Sequence, residues 1–129
     1  HFRDRESERT IIEAAGNGDT TALEVLVEAG CDVNQAEKDG LTLVACEKGQ
    51  TAALKVLVKA GCDVNQADKD GATPAYAAAQ KGQTAALKLL VEAGCDVNHA
   101  AKNGRTPAFI AAQKGHAAAL EVLVEAGCD

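Results

Sequence analysis

The sequence predicts an all-α fold: a solenoid of stacked antiparallel helix pairs joined by extended turn or hairpin arms. The block Gly-Cys-Asp-Val-Asn begins at Gly30, Gly61 and Gly94, and its first three residues return at Gly127-Cys128-Asp129, so the intervals are 31, 33 and 33 residues. Self-similarity at this period marks units too small to bury their own apolar faces, which must therefore stack on their neighbours. Within each interval two short helix-like stretches each run up to a glycine, as at Gly82 and Gly94, and glycine is the residue that most readily closes a helix.

The first unit, about residues 6–34, starts from the highly charged run Arg3 to Arg9 and continues as Ile11-Ile12-Glu13-Ala14-Ala15-Gly16-Asn17-Gly18. A polar outer face suits the wet end of a stack. The second unit, about 35–65, is short: Gly40 to Gly49 spans nine residues where Gly71 to Gly82 spans eleven. The simplest alignment matches Thr42 to Thr73 and Leu43 to Tyr76 and deletes the equivalents of Pro74 and Ala75. It predicts a first helix lacking half a turn, a local defect. The third unit, about 66–98, carries the clearest signals. Thr73 is an N-cap residue and Pro74 is preset for the first helical position, so a helix is expected from Pro74 to about Lys81. A second helix follows from about Thr84 to Ala93, with Leu87, Leu90 and Val91 on one stripe. Asp70-Gly71 forms the turn of the arm. The fourth unit, about 99–129, repeats the pattern with Thr106-Pro107. Gln50 to Asn65 and Gln83 to Asn98 are nearly identical, which reads as recent duplication.

Turn, helix, loop and antiparallel helix in about 33 residues, opened by Asp70-Gly71-Ala72-Thr73-Pro74 or Asn103-Gly104-Arg105-Thr106-Pro107 and followed by Gly-X-Asp-Val-Asn, resemble the ankyrin repeat. The match runs over nearly the whole chain and implies a single ankyrin-repeat domain over residues 1–129. There are departures. The His of the family's Thr-Pro-Leu-His is replaced by Leu43, Tyr76 and Phe109, and its Leu by Ala75 and Ala108.

Composition narrows the function. One Tyr, two Phe and no Trp leave a small aliphatic core, and a formal net charge of −6 argues against nucleic-acid binding, which depends on phosphate neutralisation. Apolar stretches break well short of the ~18 residues of a membrane span. The chain contains no Met, so His1 is not an initiator, and the sequence reads as an excerpt or a processed product. Cys31, Cys62, Cys95 and Cys128 recur at one repeat position, too far apart in a stack for the ~7 Å that a disulfide allows between Cα atoms. They are expected as small buried thiols beside helix ends, and Cys46 as a fifth cysteine outside any disulfide. Unpaired thiols and the absence of an Asn-X-Ser/Thr acceptor point to an intracellular setting, cytoplasmic or nuclear.

No nucleophile stands beside a base, and no phosphate loop or zinc pattern is present, so no catalytic residue, metal site or cofactor is expected. His116 is read as a loop or helix-start hydrogen-bonding residue. Asp32, Asp63 and Asp96 are read as turn residues.

The resemblance locates a partner-binding surface. In the family, arm tips and the exposed side of the first helices form a concave face where another protein binds. Carried over, the tips are Lys38, Asp39 and Leu41, then Lys69, Asp70 and Ala72, then Lys102, Asn103 and Arg105. The helices add Lys48, Tyr76, Gln80, Lys81, Gln113 and Lys114. Repeat 4 has Lys102, Arg105 and Lys114 with no acid at its equivalents, a gradient that would suit an acidic protein segment as ligand. The opposing reading is that these lysines are solvated and offset helix C-terminal dipoles. The alternative function is weak end-to-end self-assembly through whichever of Phe109, Ile110, Leu120, Leu123 and Val124 lie open at the C-terminal face. The resemblance also marks Asn34, Asn65 and Asn98 as the position that intracellular asparaginyl hydroxylases modify in some ankyrin repeats, against a plain turn-stabilising role.

Overall fold

In the computed structural model, which describes residues 5–29, 36 and 40–128, the described residues form eight α-helices and no strand. They are α1 (Arg5–Asn17), α2 (Thr20–Glu28), α3 (Leu41–Glu47), α4 (Thr51–Lys59), α5 (Pro74–Lys81), α6 (Thr84–Glu92), α7 (Pro107–Gln113) and α8 (Ala117–Glu125). Consecutive helices pair as α1–α2, α3–α4, α5–α6 and α7–α8. Across repeats α1, α3, α5 and α7 pack as one row, and α2, α4, α6 and α8 as a second. Two layers follow, each held by contacts between neighbouring repeats.

The expected cap chemistry is present where the sequence supplies it. Thr73 Oγ1 accepts from the Tyr76 N–H at 3.2 Å and Thr106 Oγ1 from the Phe109 N–H at 3.2 Å, with Pro74 and Pro107 in the first helical positions. Gly82, at φ 71°, ends α5 as expected.

Alanine lets the first-helix row approach closely. Ala75, Ala77, Ala78 and Ala79 are all buried, and small side chains there replace the aromatic area the composition lacks. The second row contributes the larger residues, Leu54, Leu57, Leu87, Leu90 and Leu123, each fully buried. Repeat 2 contributes to both of two core clusters. Leu41, Ala45, Ala53 and Leu57 join Ile11, Ala15 and Leu23 of repeat 1, while Cys46 and Leu54 join the cluster of repeats 3 and 4.

Repeat 2 corrects the sequence alignment. Helix α3 begins at Leu41 and has seven residues, as many as α7. Counting back from Gly49 and Gly82, Leu41 takes the place of Pro74 and Thr42 that of Ala75. The two missing residues therefore fall before the helix, and the helix keeps its length. Gly40, at φ 99°, is the N-cap and offers no side chain to the first turn. Burying Leu41 and Thr42 outweighs the lost cap, because a buried Leu is worth about 1.5–3 kcal/mol and a cap about 1.

Candidate functional site

A ladder of side-chain hydrogen bonds sets the register between repeats. Gln50 Nε2 donates to the Gly16 carbonyl at 3.1 Å and Gln83 Nε2 to the Glu47 carbonyl at 3.2 Å; His116 Nε2 lies 3.1 Å from the Gln80 carbonyl. Each donor opens the second helix of its repeat and reaches a carbonyl near the C-terminal end of the previous first helix, where backbone acceptors lack partners within the helix. His116 thus does the structural work the sequence assigned to it. Gln50 and Gln83 do the same work and were missed. The signal lay in the recurring Gly49-Gln50, Gly82-Gln83 and Gly115-His116.

The rungs explain why the loop needs glycine twice over. Gly82 has φ +71°, and a Cβ there would stand 2.7 Å from His116 Nδ1. At Gly115, φ +76°, nothing lies within 4 Å. In repeat 1 the rung position holds Asp19, whose Oδ1 accepts from the Ala22 N–H at 3.1 Å as the cap of α2. A carboxylate cannot donate to a carbonyl, so this repeat carries no rung donor on its outer side.

The arms are fixed by short polar side chains. Asp68 Oδ1 accepts from the N–H groups of Asp70 and Ala72 at 2.9 and 3.0 Å, and the Asp68 N–H donates to the Ala72 carbonyl at 2.9 Å. The next arm closes through the Ala101 N–H on the Arg105 carbonyl at 2.9 Å, with Asn103 Oδ1 accepting from the Arg105 N–H. Neighbouring tips are joined: the Lys102 N–H donates to the Asp70 carbonyl at 2.9 Å. Lower in the arms, Asp63 and Asp96 each accept from the N–H two residues on, and Asn65 Oδ1 accepts from the Asp96 N–H at 2.7 Å. The turn role of these aspartates was legible in the sequence; Asp32 and Asn34 lie outside the described residues. Asn65 and Asn98 are exposed.

The predicted partner-binding residues separate into groups. Asp70, Ala72, Tyr76, Gln80, Lys102 and Asn103 line one cleft of about 430 Å³ between arm tips and first helices, with Asp68 and Ala101 completing its wall. Asp68 was not singled out from sequence; its place two residues before Asp70 in the arm was the available clue. Tyr76 is only 6% exposed, so its ring is mostly wall. Arg105 and Gln113 meet each other instead, Arg105 Nη1 donating to Gln113 Oε1 at 3.3 Å, and the guanidinium sits 5.5 Å from the centre of the exposed Phe109 ring. Lys48, Lys81 and Lys114 are exposed at the C-terminal ends of α3, α5 and α7, and Lys69 is exposed on its arm. Leu41 is a correction: it is fully buried in α3 rather than at a tip, because the two-residue deletion draws it into the helix. Lys38 and Asp39 lie outside the described residues.

Cys62, Cys95 and Cys128 follow the ends of second helices as expected, but they are half-buried against the core; among the described cysteines only Cys46 is fully buried, and Cys31 lies outside the described residues. Burial, and then the neighbouring Asp96 carboxylate, push the Cys95 thiol up to about 11 from 9.0. Only the thiolate attacks, so at pH 7.5 Cys95 should alkylate with iodoacetamide about a hundredfold slower than free cysteine. Mass-spectrometric labelling of the folded chain checks this, and unfolding in urea should abolish the difference. The raised value stabilises the fold fully below pH 9, and that contribution is lost as pH rises towards 11.

Among the described residues no helix is long and apolar enough to cross a membrane. The family model described as ankyrin repeats (3 copies) matches residues 11–101 and, in an overlapping register, residues 42–129. No curated protein matches the chain. The helix pairs, the arms joined tip to tip and the rungs between repeats agree with that match over nearly the full length, and the chain belongs to the ankyrin-repeat family.

Proposed function

We propose that the chain is a non-catalytic scaffold whose four repeats bind an acidic segment of another protein along the face built by the arm tips and first helices. Ankyrin repeats generally mediate protein–protein interaction. The observation that carries the finer reading is the cleft of Asp68, Asp70, Tyr76, Gln80, Lys102 and Asn103, with Arg105 and Lys114 exposed in the same repeat as Lys102. Backbone hydrogen bonds hold its walls, so little ordering cost falls on binding. Lys102, Arg105 and Lys114 favour carboxylates at that end, and Asp70 at the other favours a neutral or basic residue. Cys95 and Cys128, thiols outside any disulfide, agree with an intracellular setting.

The test uses fluorescein-labelled Glu-rich peptides carrying one aromatic residue. Binding should weaken with salt, and Lys102→Glu and Lys114→Glu should each reduce affinity about fivefold. Lys88→Glu, exposed on α6, is the charge-matched control. Equal losses in all three variants would reduce the effect to net charge and sink the groove reading.

End-to-end self-assembly is the second reading, favoured by Phe109 and Val124, 51% and 61% exposed. It ranks below the groove because Asp19 gives a second copy no donor with which to continue the ladder.

A further inference from the structure

We propose a second interaction surface, on the side of the outer helices: α2 and α4 form a self-complementary patch that pairs weakly with the same patch of a second copy about a two-fold axis parallel to the helices. The two helices pack against each other and are each nine residues long, Thr20 and Thr51 being equivalent positions of their repeats. Glu24 and Glu28 are exposed on α2, and Lys55 and Lys59 are exposed at the equivalent positions of α4. An acidic column therefore stands beside a basic one, level with it along the helix direction.

A two-fold axis running between the columns and parallel to them lays α2 of one copy over α4 of the other without shifting either along its length. Glu24 then faces Lys55 and Glu28 faces Lys59, twice over. The two neighbouring registers of the same face are worse. An axis between α4 and α6 opposes Lys55 to Lys88 and Glu24 to Glu121, and an axis on α4 opposes Glu28 to Glu92. Charge selects one register out of these three.

Apolar surface lies inside the same patch. A cleft of about 270 Å³ between α2 and α4 is lined by Val27, Val56 and Ala60 with Glu24, Glu28 and Lys59 at its rim. A second, of about 470 Å³, runs across α4 from Thr20 and Glu24 of α2, over Val56 and Val58, to Leu89 of α6. Val25, 58% exposed, takes on α2 the place that Val56 takes on α4, and the two-fold carries it towards the Leu89 end of the second cleft of the other copy. One knob per copy enters one hole. Two nine-residue helices cover less than the ~800 Å² per partner of a stable complex, so the dimer is a weak one.

Sedimentation equilibrium between roughly 10 µM and 1 mM reads it. The apparent mass should rise towards that of a dimer at low salt and fall back at high salt. Lys55→Glu/Lys59→Glu makes both columns acidic, and Glu24→Lys/Glu28→Lys makes both basic. Each variant alone should weaken dimerisation at least tenfold, while an equimolar mixture of the two should recover it. Circular dichroism confirms that both variants remain folded. A chain that stays monomeric to 1 mM overturns the proposal, as does a mixture that fails to recover. A dimer abolished by Val124→Lys and indifferent to the charge reversals also overturns it, in favour of end-face assembly. None of these outcomes bears on the groove reading, which is measured on Lys102 and Lys114.

Discussion

Inserting Ala-Thr between Gly40 and Leu41 is expected to raise stability by about 1 kcal/mol, whereas inserting Pro-Ala between Thr42 and Leu43 is expected to lower it by about as much. Both insertions restore the spacing of repeat 3 on paper. They differ in what they do to Leu41. With Ala-Thr in place, Leu41 and Thr42 keep their fully buried positions at the start of α3, and the new Thr supplies the hydroxyl cap that Thr73 and Thr106 provide elsewhere. With Pro-Ala, Thr42 becomes the cap, Leu41 is moved out of its contacts with the repeat 1 cluster, and a smaller Pro takes its place. Losing most of a Leu burial outweighs gaining one cap. Urea denaturation followed by circular dichroism gives the comparison. A Pro-Ala variant more stable than the Ala-Thr variant would show that Leu41 contributes little where it sits.

Gly82→Ala is expected to cost about 2–3 kcal/mol, and Gly115→Ala only about 1. Both glycines have positive φ, +71° and +76°, so both substitutions meet the same backbone strain. At Gly82 the added methyl also comes 2.7 Å from His116 Nδ1 and within 3.0 Å of two ring carbons, so the imidazole must move and its contact with the Gln80 carbonyl is lost. Leaving that carbonyl short of a partner adds about 1 kcal/mol or more. A double-mutant cycle separates the two effects. In the His116→Ala background Gly82→Ala should cost about as much as Gly115→Ala does in the parent chain. An unchanged cost in that background would assign the whole loss to backbone strain and remove the rung from the account.

The rungs show where reading the sequence succeeded and where it stopped. His116 stood out because a lone imidazole in a loop invites a role, and the hydrogen-bonding role holds. Gln50 and Gln83 occupy the same place, but an amide beside a glycine has many uses, and only stacking brings each within 3.2 Å of a carbonyl more than thirty residues earlier in the chain. The cleft was legible in part. Arm tips and first-helix positions could be assigned from the repeat pattern, and six of the assigned residues do line one cleft. The pattern could not say that Arg105 turns to Gln113 and Phe109, because that choice is made by side chains eight and four residues further on in the same repeat.

The sequence by itself determined the architecture: the 33-residue period, the Thr-Pro helix starts, the glycine stops and the aspartate turns are local signals, each satisfied within a few residues of where it is written. Tertiary structure alone decided where the deletion in repeat 2 falls. Counting residues cannot distinguish a helix that starts late from a turn that is short, since both leave the same number between glycines. Packing can, because Leu41 and Thr42 find a buried place against repeat 1 only if the helix begins at Leu41. That burial is an interaction between repeats, and no signal inside repeat 2 encodes it.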